Sequence, residues 1–302
     1  MLIRKQKQNN DDIKIMKPLS ELNLLDRFLF DEVMEDTQTA KDVLEIIMGR
    51  EVSLLDKNEI EKEFRKSPQL RSIRIDVFSM DEERNVYDTE MQQKNTVSLP
   101  KRSRYYQSYI DVSLLEPGKA DFNELNDVYV IIIAPFDLWG FGRYRYTFRY
   151  QCQEEPTLRL EDGSTRIFLN TKGRNKEGVS DELIEFLRFV ENSSSSADIS
   201  EKSERLRRIH NRVCEVKENE KVGVKYMQRW EELVYAKKEG REEGREEGRR
   251  LSILECLEEF GEIPKELQDE INTQTDIEVL RKWLKLAARA ESLEEFVGKY
   301  RE

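Results

Sequence analysis

Two short stretches, RSIRIDVFS (residues 71–79) and VYDTEMQ (residues 86–92), alternate apolar and polar residues yet carry acids where a strand tolerates them poorly. The polar run MDEERN (80–85) lies between them, so together they predict a β-hairpin. Period-two alternation puts Glu90 and Gln92 on one face of the second strand, with Thr89 and Met91 on the other. On the first strand the same rule groups Ile73, Ile75 and Val77, leaving Asp76 with Arg74 and Phe78. In a hairpin symmetric about residue 83, Asp76 stands opposite Glu90. Directly opposed residues bring their Cβ atoms to about 5 Å, and two carboxylates that close repel unless a proton or a cation lies between them. A hard divalent ion resolves the conflict, since Mg²⁺ takes one or two carboxylates and keeps several waters. A hairpin whose acids simply face water satisfies the same pattern, and a slip of one residue breaks the pairing.

The rest of the composition narrows the chemistry. The single histidine, His210, lies in ERLRRIHNR and reads as a solvated residue on a polar helix. With one histidine and three dispersed cysteines (Cys152, Cys214, Cys256), zinc sites and Cys/His or Ser/His/Asp nucleophiles are effectively excluded. Hydrolysis by this chain would rest on carboxylates, amides, lysines or a hard metal ion. A net charge of -11 argues against polyanion binding by the whole surface, though a local basic groove is compatible with it. No apolar run approaches the ~20 residues of a membrane span. MLIRKQKQNNDD at the start also lacks the apolar stretch of a signal peptide. The expectation is a cytoplasmic protein with reduced thiols and no membrane partner.

Residues 17–34 and 38–48 have helical spacing, the second stopped by Gly49. Residues 102–118 read as a helix closed by Pro117-Gly118, and VYVIIIA (128–134) as a central strand covered on both faces. RYRYTFRY (143–150) and TRIFLN (165–170) are further strands around an Asp162-Gly163 turn, followed by a helix over 181–191. SSSSADIS (193–200) is a low-complexity break, and beyond it the chain becomes charged and helix-permissive. Mean hydropathy of -0.77 fits a core concentrated in part of the chain. The division expected is a tail (1–16), an α/β domain (17–195) and an all-helical region (196–302).

The hairpin, with LPKRSRYYQSYID (99–111), YVIIIAPFD (129–137), RYTFRYQCQE (145–154), IFLNTKG (167–173) and a late Glu-Gly-Arg-Glu repeat, resembles the PD-(D/E)XK nuclease superfamily. Within it the chain is most similar to the recombination-promoting nuclease, or Rpn-type transposase, branch. The resemblance implies a restriction-endonuclease-like α/β fold: a mixed central sheet flanked by helices, followed by an all-α C-terminal region. It implies Mg²⁺ or Mn²⁺ held by Asp76, Glu90 and the Met91 carbonyl, with Asp26 of the first helix as a further candidate ligand. Gln92 stands where the superfamily usually has lysine; an amide orients water and donates a hydrogen bond but supplies no charge. The implied activity is hydrolysis of DNA by a metal-activated water, in recombination, mobile-element movement or phage defence.

KRSRYYQSYI offers Lys101, Arg102, Arg104 and Tyr106 as candidate contacts to the phosphate backbone, or forms an amphipathic helix with a basic surface. RYRYTFRY reads as a half-buried strand. Gly240, Gly244 and Gly248 recur every fourth residue. Each costs ~1 kcal/mol in a helix, whereas a Glu–Arg pair returns only ~0.2–0.5 kcal/mol. Such a helix needs a partner, which would make the chain a homo-oligomer, or else serves as a flexible charged connector. The contrasting expectation is a non-catalytic module that acts through its helical region.

Overall fold

The computed structural model describes residues 16–55, 58–64, 73–115, 118, 121–194 and 203–300. The break expected at 193–200 falls largely outside them. The chain divides into two compact units, one spanning Ile15–Tyr226 and the other built on Met227–Glu302.

In the first unit a six-stranded sheet has the order β1-β2-β3-β4-β6-β5. Its strands are β1 (Glu59–Phe64), β2 (Ile73–Met80), β3 (Val86–Met91), β4 (Val128–Ala134), β5 (Arg145–Phe148) and β6 (Ser164–Asn170). β1, β2 and β3 run antiparallel in succession, β3, β4 and β6 run parallel, and β5 closes the far edge antiparallel to β6. The mixed sheet and its flanking helices form the restriction-endonuclease-like α/β fold expected from the sequence. β4 is the apolar run VYVIIIA, and its burial on both faces follows from its central place between parallel neighbours. Gly163 opens β6 at φ 73, where a Cβ would run into Asp127, so the expected Asp-Gly turn is a steric requirement.

One face of the sheet is covered by α1 (Arg27–Met34), α2 (Thr37–Met48), α4 (Asp181–Glu191) and α5 (Glu204–Glu218). The other face packs on α3 (Leu99–Leu114), the crossover between parallel β3 and β4. Two aspartates set the starts of the first pair: Asp26 accepts from Phe28 N–H (3.0 Å) and Asp36 from Thr39 N–H (2.8 Å). The helix expected over 17–34 therefore begins only at Arg27, because Asp26 takes the capping conformation. α2 ends as expected at Gly49, in the left-handed region at φ 68. α5, which lies beyond the boundary expected at about 195–200, buries Leu206, Ile209 and Val213 in this core. Arg208 of α5 holds the fully buried Asp42 of α2 through two bonds of 2.7 Å. Leaving such a carboxylate unpaired costs about 3–5 kcal/mol. His210 is half-buried rather than solvated, edge-on to Phe189 at 5.7 Å.

β1 is the element the sequence pattern did not reveal. EIEKEF has little apolar alternation because it is an edge strand, where charged side chains are tolerated and block further pairing.

The second unit has a separate core. The C-terminal part of α6 (Glu220–Glu258) packs with α7 (Lys265–Thr273), α8 (Ile277–Ala287) and α9 (Leu293–Lys299). Leu257, Ile271 and Leu280 are fully buried there, and Trp283 Nε1 donates to the Tyr300 carbonyl at 2.9 Å. The glycine repeat lies within α6, and a Cβ at Gly240, Gly244 or Gly248 would meet nothing within 4 Å.

Candidate active site

β2 and β3 pair as Val77–Thr89, Phe78–Asp88, Ser79–Tyr87 and Met80–Val86, the register symmetric about residue 83 that the sequence predicts. The next position outward holds Asp76 and Glu90, and there side chains replace the backbone ladder. Asp76 N–H donates to Glu90 Oε1 at 2.9 Å, and Met91 N–H donates to Asp76 Oδ2 at 3.2 Å. Each strand's carboxylate thus holds the other strand's backbone, and both acids are buried, at 2% and 4% exposure.

The facing on β2 differs from the expectation. Val77 packs with α1 and α2, while Ile73, Ile75 and Phe78 all pack on the α3 side. The alternation slips at Asp76. Across from it on β1 the register stays constant, from Ile60–Val77 to Lys62–Ile75, and the intervening Glu61 has a positive φ of 50. No extra residue is inserted on either strand, so the facing changes here without a bulge.

Helix α3 brings Arg102 to the pair. Its Nη2 donates to Gln92 Oε1 at 2.7 Å and lies 3.6 Å from Glu90 Oε2, with the guanidinium 5.5 Å over the Tyr106 ring. The other end of the Gln92 amide donates to the Lys94 carbonyl at 2.5 Å. From α1 comes Arg27, whose Nη2 forms an ion pair with Asp76 Oδ1 and whose Nε lies 3.7 Å from Asp31. Asp26, the further candidate ligand, is instead the cap of α1, and the next residue is the one that reaches the acids. Lys101 and Arg104 are exposed on α3, away from this cluster of contacts. For Met91 the recorded contact is its amide, with its side chain buried in the core.

A third acid, Asp88, shares the face of Glu90 and is 0% exposed, and neither of its oxygens has a hydrogen-bond partner among the described residues. Burial, and then the charges of Glu90 and Asp76, hold its carboxyl well above the usual range. Burial also raises Glu90, to about 7, with the Asp76 charge adding to it and Asp76 N–H and Arg102 opposing. Asp76 is raised too, by burial, against Arg27 and Met91 N–H. Burial and the Glu90 charge push the Tyr106 hydroxyl up to about 12. Asp76, Glu90 and Asp88 face Arg27 and Arg102, and Asp31 shares Arg27, so the fully ionised cluster is net negative, an excess that a proton or a metal ion offsets.

That excess has a measurable consequence for stability. Because the folded protein holds the Glu90 proton more tightly than the unfolded chain, the associated stability is present below pH 4.5 and is lost as pH rises through about 7. In EDTA, chemical denaturation of the wild type should show a loss on the order of 3 kcal/mol across that window. Glu90→Gln should remove the Glu90 part of it and leave what Asp76 and Asp88 contribute. Identical profiles for the two proteins would refute the buried-acid assignment.

Two buried carboxylates of hard oxygen chemistry, bound to each other's strands, suit a divalent ion that asks for one or two carboxylates. Among the described residues no group of three or more His, Cys, Asp or Glu side chains is arranged to hold a metal. A family model described as PD-(D/E)XK nuclease family transposase matches residues 41–239, more than half the chain and all six strands. The chain belongs to this family. Comparison with curated proteins and with solved structures returns no significant match. Membership implies a nuclease-type function with DNA as substrate. Among the described residues no helix is long and apolar enough to cross a membrane.

Sequence reasoning missed Asp88, Arg27 and the partnership of Arg102 with Gln92. Asp88 was recoverable, since two positions before Glu90 on a strand means the same face. Arg27 left no signal, because the contact joins residues 49 positions apart on elements with no shared motif.

Proposed function

We propose that this protein is a divalent-metal-dependent DNA endonuclease that hydrolyses phosphodiester bonds at the Asp76–Glu90 pair. The observation that carries this reading is the crossed exchange between the two acids and the two strand backbones. Asp76 and Glu90 would hold Mg²⁺ or Mn²⁺, with the Met91 carbonyl as a further ligand. Such an ion supplies a water of lowered pKa and neutralises charge on the phosphate oxygens. Gln92 has both ends of its amide engaged, by Arg102 and by the Lys94 carbonyl, so it serves to position Arg102. Arg102 then provides the positive charge that a lysine at position 92 would provide. Lys101 and Arg104, exposed on the same helix, are suited to hold the DNA backbone. Recombination, mobile-element movement and phage defence are the settings we infer, in the cytoplasm, with the helical C-terminal region joining copies of the chain.

Arg27 favours a second reading. Its guanidinium already neutralises Asp76, so the chain could bind DNA as a catalytically weak nuclease-fold module. Supercoiled plasmid separates the two. Nicking that requires Mg²⁺ or Mn²⁺ and stops in EDTA is the expected result. Salt-dependent DNA retention without nicking under either metal would establish the weak module instead.

A further inference from the structure

On the α3 side of the sheet, at its β6–β5 end, lies a cavity of about 330 Å³ that the proposed chemistry does not use. Four aromatic residues, Trp139, Phe148, Tyr150 and Phe168, and two arginines, Arg149 and Arg166, line it. Trp139 lies 4.7 Å from Phe148 and 5.0 Å from Phe168 between ring centroids, so three rings form a continuous apolar wall. Phe148 and Tyr150 nonetheless remain 41% and 46% exposed at its mouth. Water gains nothing from two such rings, which makes an absent aromatic partner the natural complement.

The wall is pre-formed. Asp137 accepts hydrogen bonds from the N–H groups of Trp139 (3.0 Å), Gly140 (3.0 Å) and Gly142 (2.6 Å), and from the Tyr146 hydroxyl. This network fixes the loop that carries Trp139. The arginines are held in place as well. Arg149 Nε donates to Thr165 Oγ1 at 3.1 Å, and Arg166 Nη2 donates to Gln107 Oε1 at 2.8 Å. Arg166 lies 5.6 Å over the Tyr150 ring, and its Nε is buried without a hydrogen-bond partner among the described residues. Asp111, with Asp162 near it, lies within electrostatic reach of Arg166.

We infer that this cavity takes one unpaired nucleotide of a DNA strand, its base against the aromatic wall and its phosphate on the arginines. Stacking platforms with a basic groove bind single strands this way, and guanidinium forks match phosphate oxygens. The volume lies at the lower end of the ~300–1,000 Å³ range of small-ligand sites. A shared helix, α3, links the cavity to the reactive centre and selects a strand over a free nucleotide. Pro100 and Ser103 of α3 line the cavity, and Arg102, between them in sequence, reaches Gln92 and Glu90. In this respect the inference rests on the nuclease reading. The protein would act where a base is unpaired or can be drawn out of the duplex.

The test is equilibrium binding of the full chain in EDTA, so that cleavage plays no part. Fluorescein-labelled single-stranded and duplex oligodeoxynucleotides are followed by anisotropy. The single strand should bind at least about tenfold more tightly, and Phe148→Ala and Arg149→Gln, both at exposed positions, should each remove about tenfold of that affinity. A deoxynucleoside monophosphate should compete for the site better than the corresponding nucleoside or inorganic phosphate. Equal binding of duplex and single strand, or no effect of either variant, overturns the inference. So does competition by inorganic phosphate as good as that by the nucleotide, which indicates an anion site only. A change in oligomeric size in the variants without loss of affinity makes the wall an interface between copies and also overturns it. Failure of plasmid nicking with single-strand binding intact would refute the nuclease reading and leave the nucleotide pocket standing.

Discussion

Glu90→Gln should reduce metal-dependent nicking of plasmid by about a thousandfold or more, equivalent to roughly 4 kcal/mol of transition-state stabilisation. Asp76→Asn should do the same. The amides are close in shape to the acids and can still accept the cross-strand bonds from Asp76 N–H and Met91 N–H, so the hairpin register should survive both changes. Stability gives a second signature. The glutamine variant removes a group that burial makes hard to ionise, so the metal-free protein should become more stable above pH 7 as activity vanishes. The asparagine variant strips Arg27 of its counter-charge and should gain nothing. Loss of activity together with a rise in stability separates a missing reactive group from a damaged fold. Nicking at the wild-type rate in both variants would remove these acids from the mechanism.

The degree to which this site was legible follows from how local each of its contacts is. The hairpin register depends on a turn of a few residues, and the sequence placed Asp76 opposite Glu90 correctly. The sides of the sheet were harder to assign. Strict alternation put Phe78 with Asp76, but Phe78 joins Ile73 and Ile75, because the facing of β2 changes beside Asp76, across from Glu61 with its positive φ. Glu61 lies on β1, whose charged edge sequence carried no strand signal. In the first helix, Asp26 was open to a ligand role through the resemblance and to a surface or capping role from its own context. The helix start decided for the cap: Asp26 accepts from Phe28 N–H, and Arg27, the next residue, reaches the acids. Central β4 and the four helices that build the second core were readable because long apolar runs and caps encode them locally. The contact of Arg102 with Gln92 depends on how α3 lies across the sheet, which no periodicity reports.

That contact leads to the second large effect. If Arg102 supplies the charge that position 92 lacks, Arg102→Gln should lower the cleavage rate at saturating DNA and metal by about 10²–10³, the range seen when one preorganised donor is removed. DNA retention should change much less, because Lys101 and Arg104 remain exposed on the same helix. Glu90 also loses one of the charges that hold its carboxyl down, so the activity profile should move to higher pH. Arg102→Lys keeps the charge but not the planar guanidinium whose Nη2 meets both Gln92 and Glu90, and should recover only part of the rate. The decisive variant is Gln92→Lys placed in the Arg102→Gln background. Once the arginine is absent, a lysine at position 92 can carry the charge on the adjacent strand, and cleavage should rise well above that of Arg102→Gln alone. In the wild-type background the same lysine would sit beside a guanidinium, and like charges at hydrogen-bonding distance repel, so there it should slow the enzyme. Opposite signs for one substitution in two backgrounds are what a shared charge requires. A backbone clamp predicts otherwise: weaker DNA binding after loss of Arg102, an unchanged rate at saturation, and no rescue by lysine.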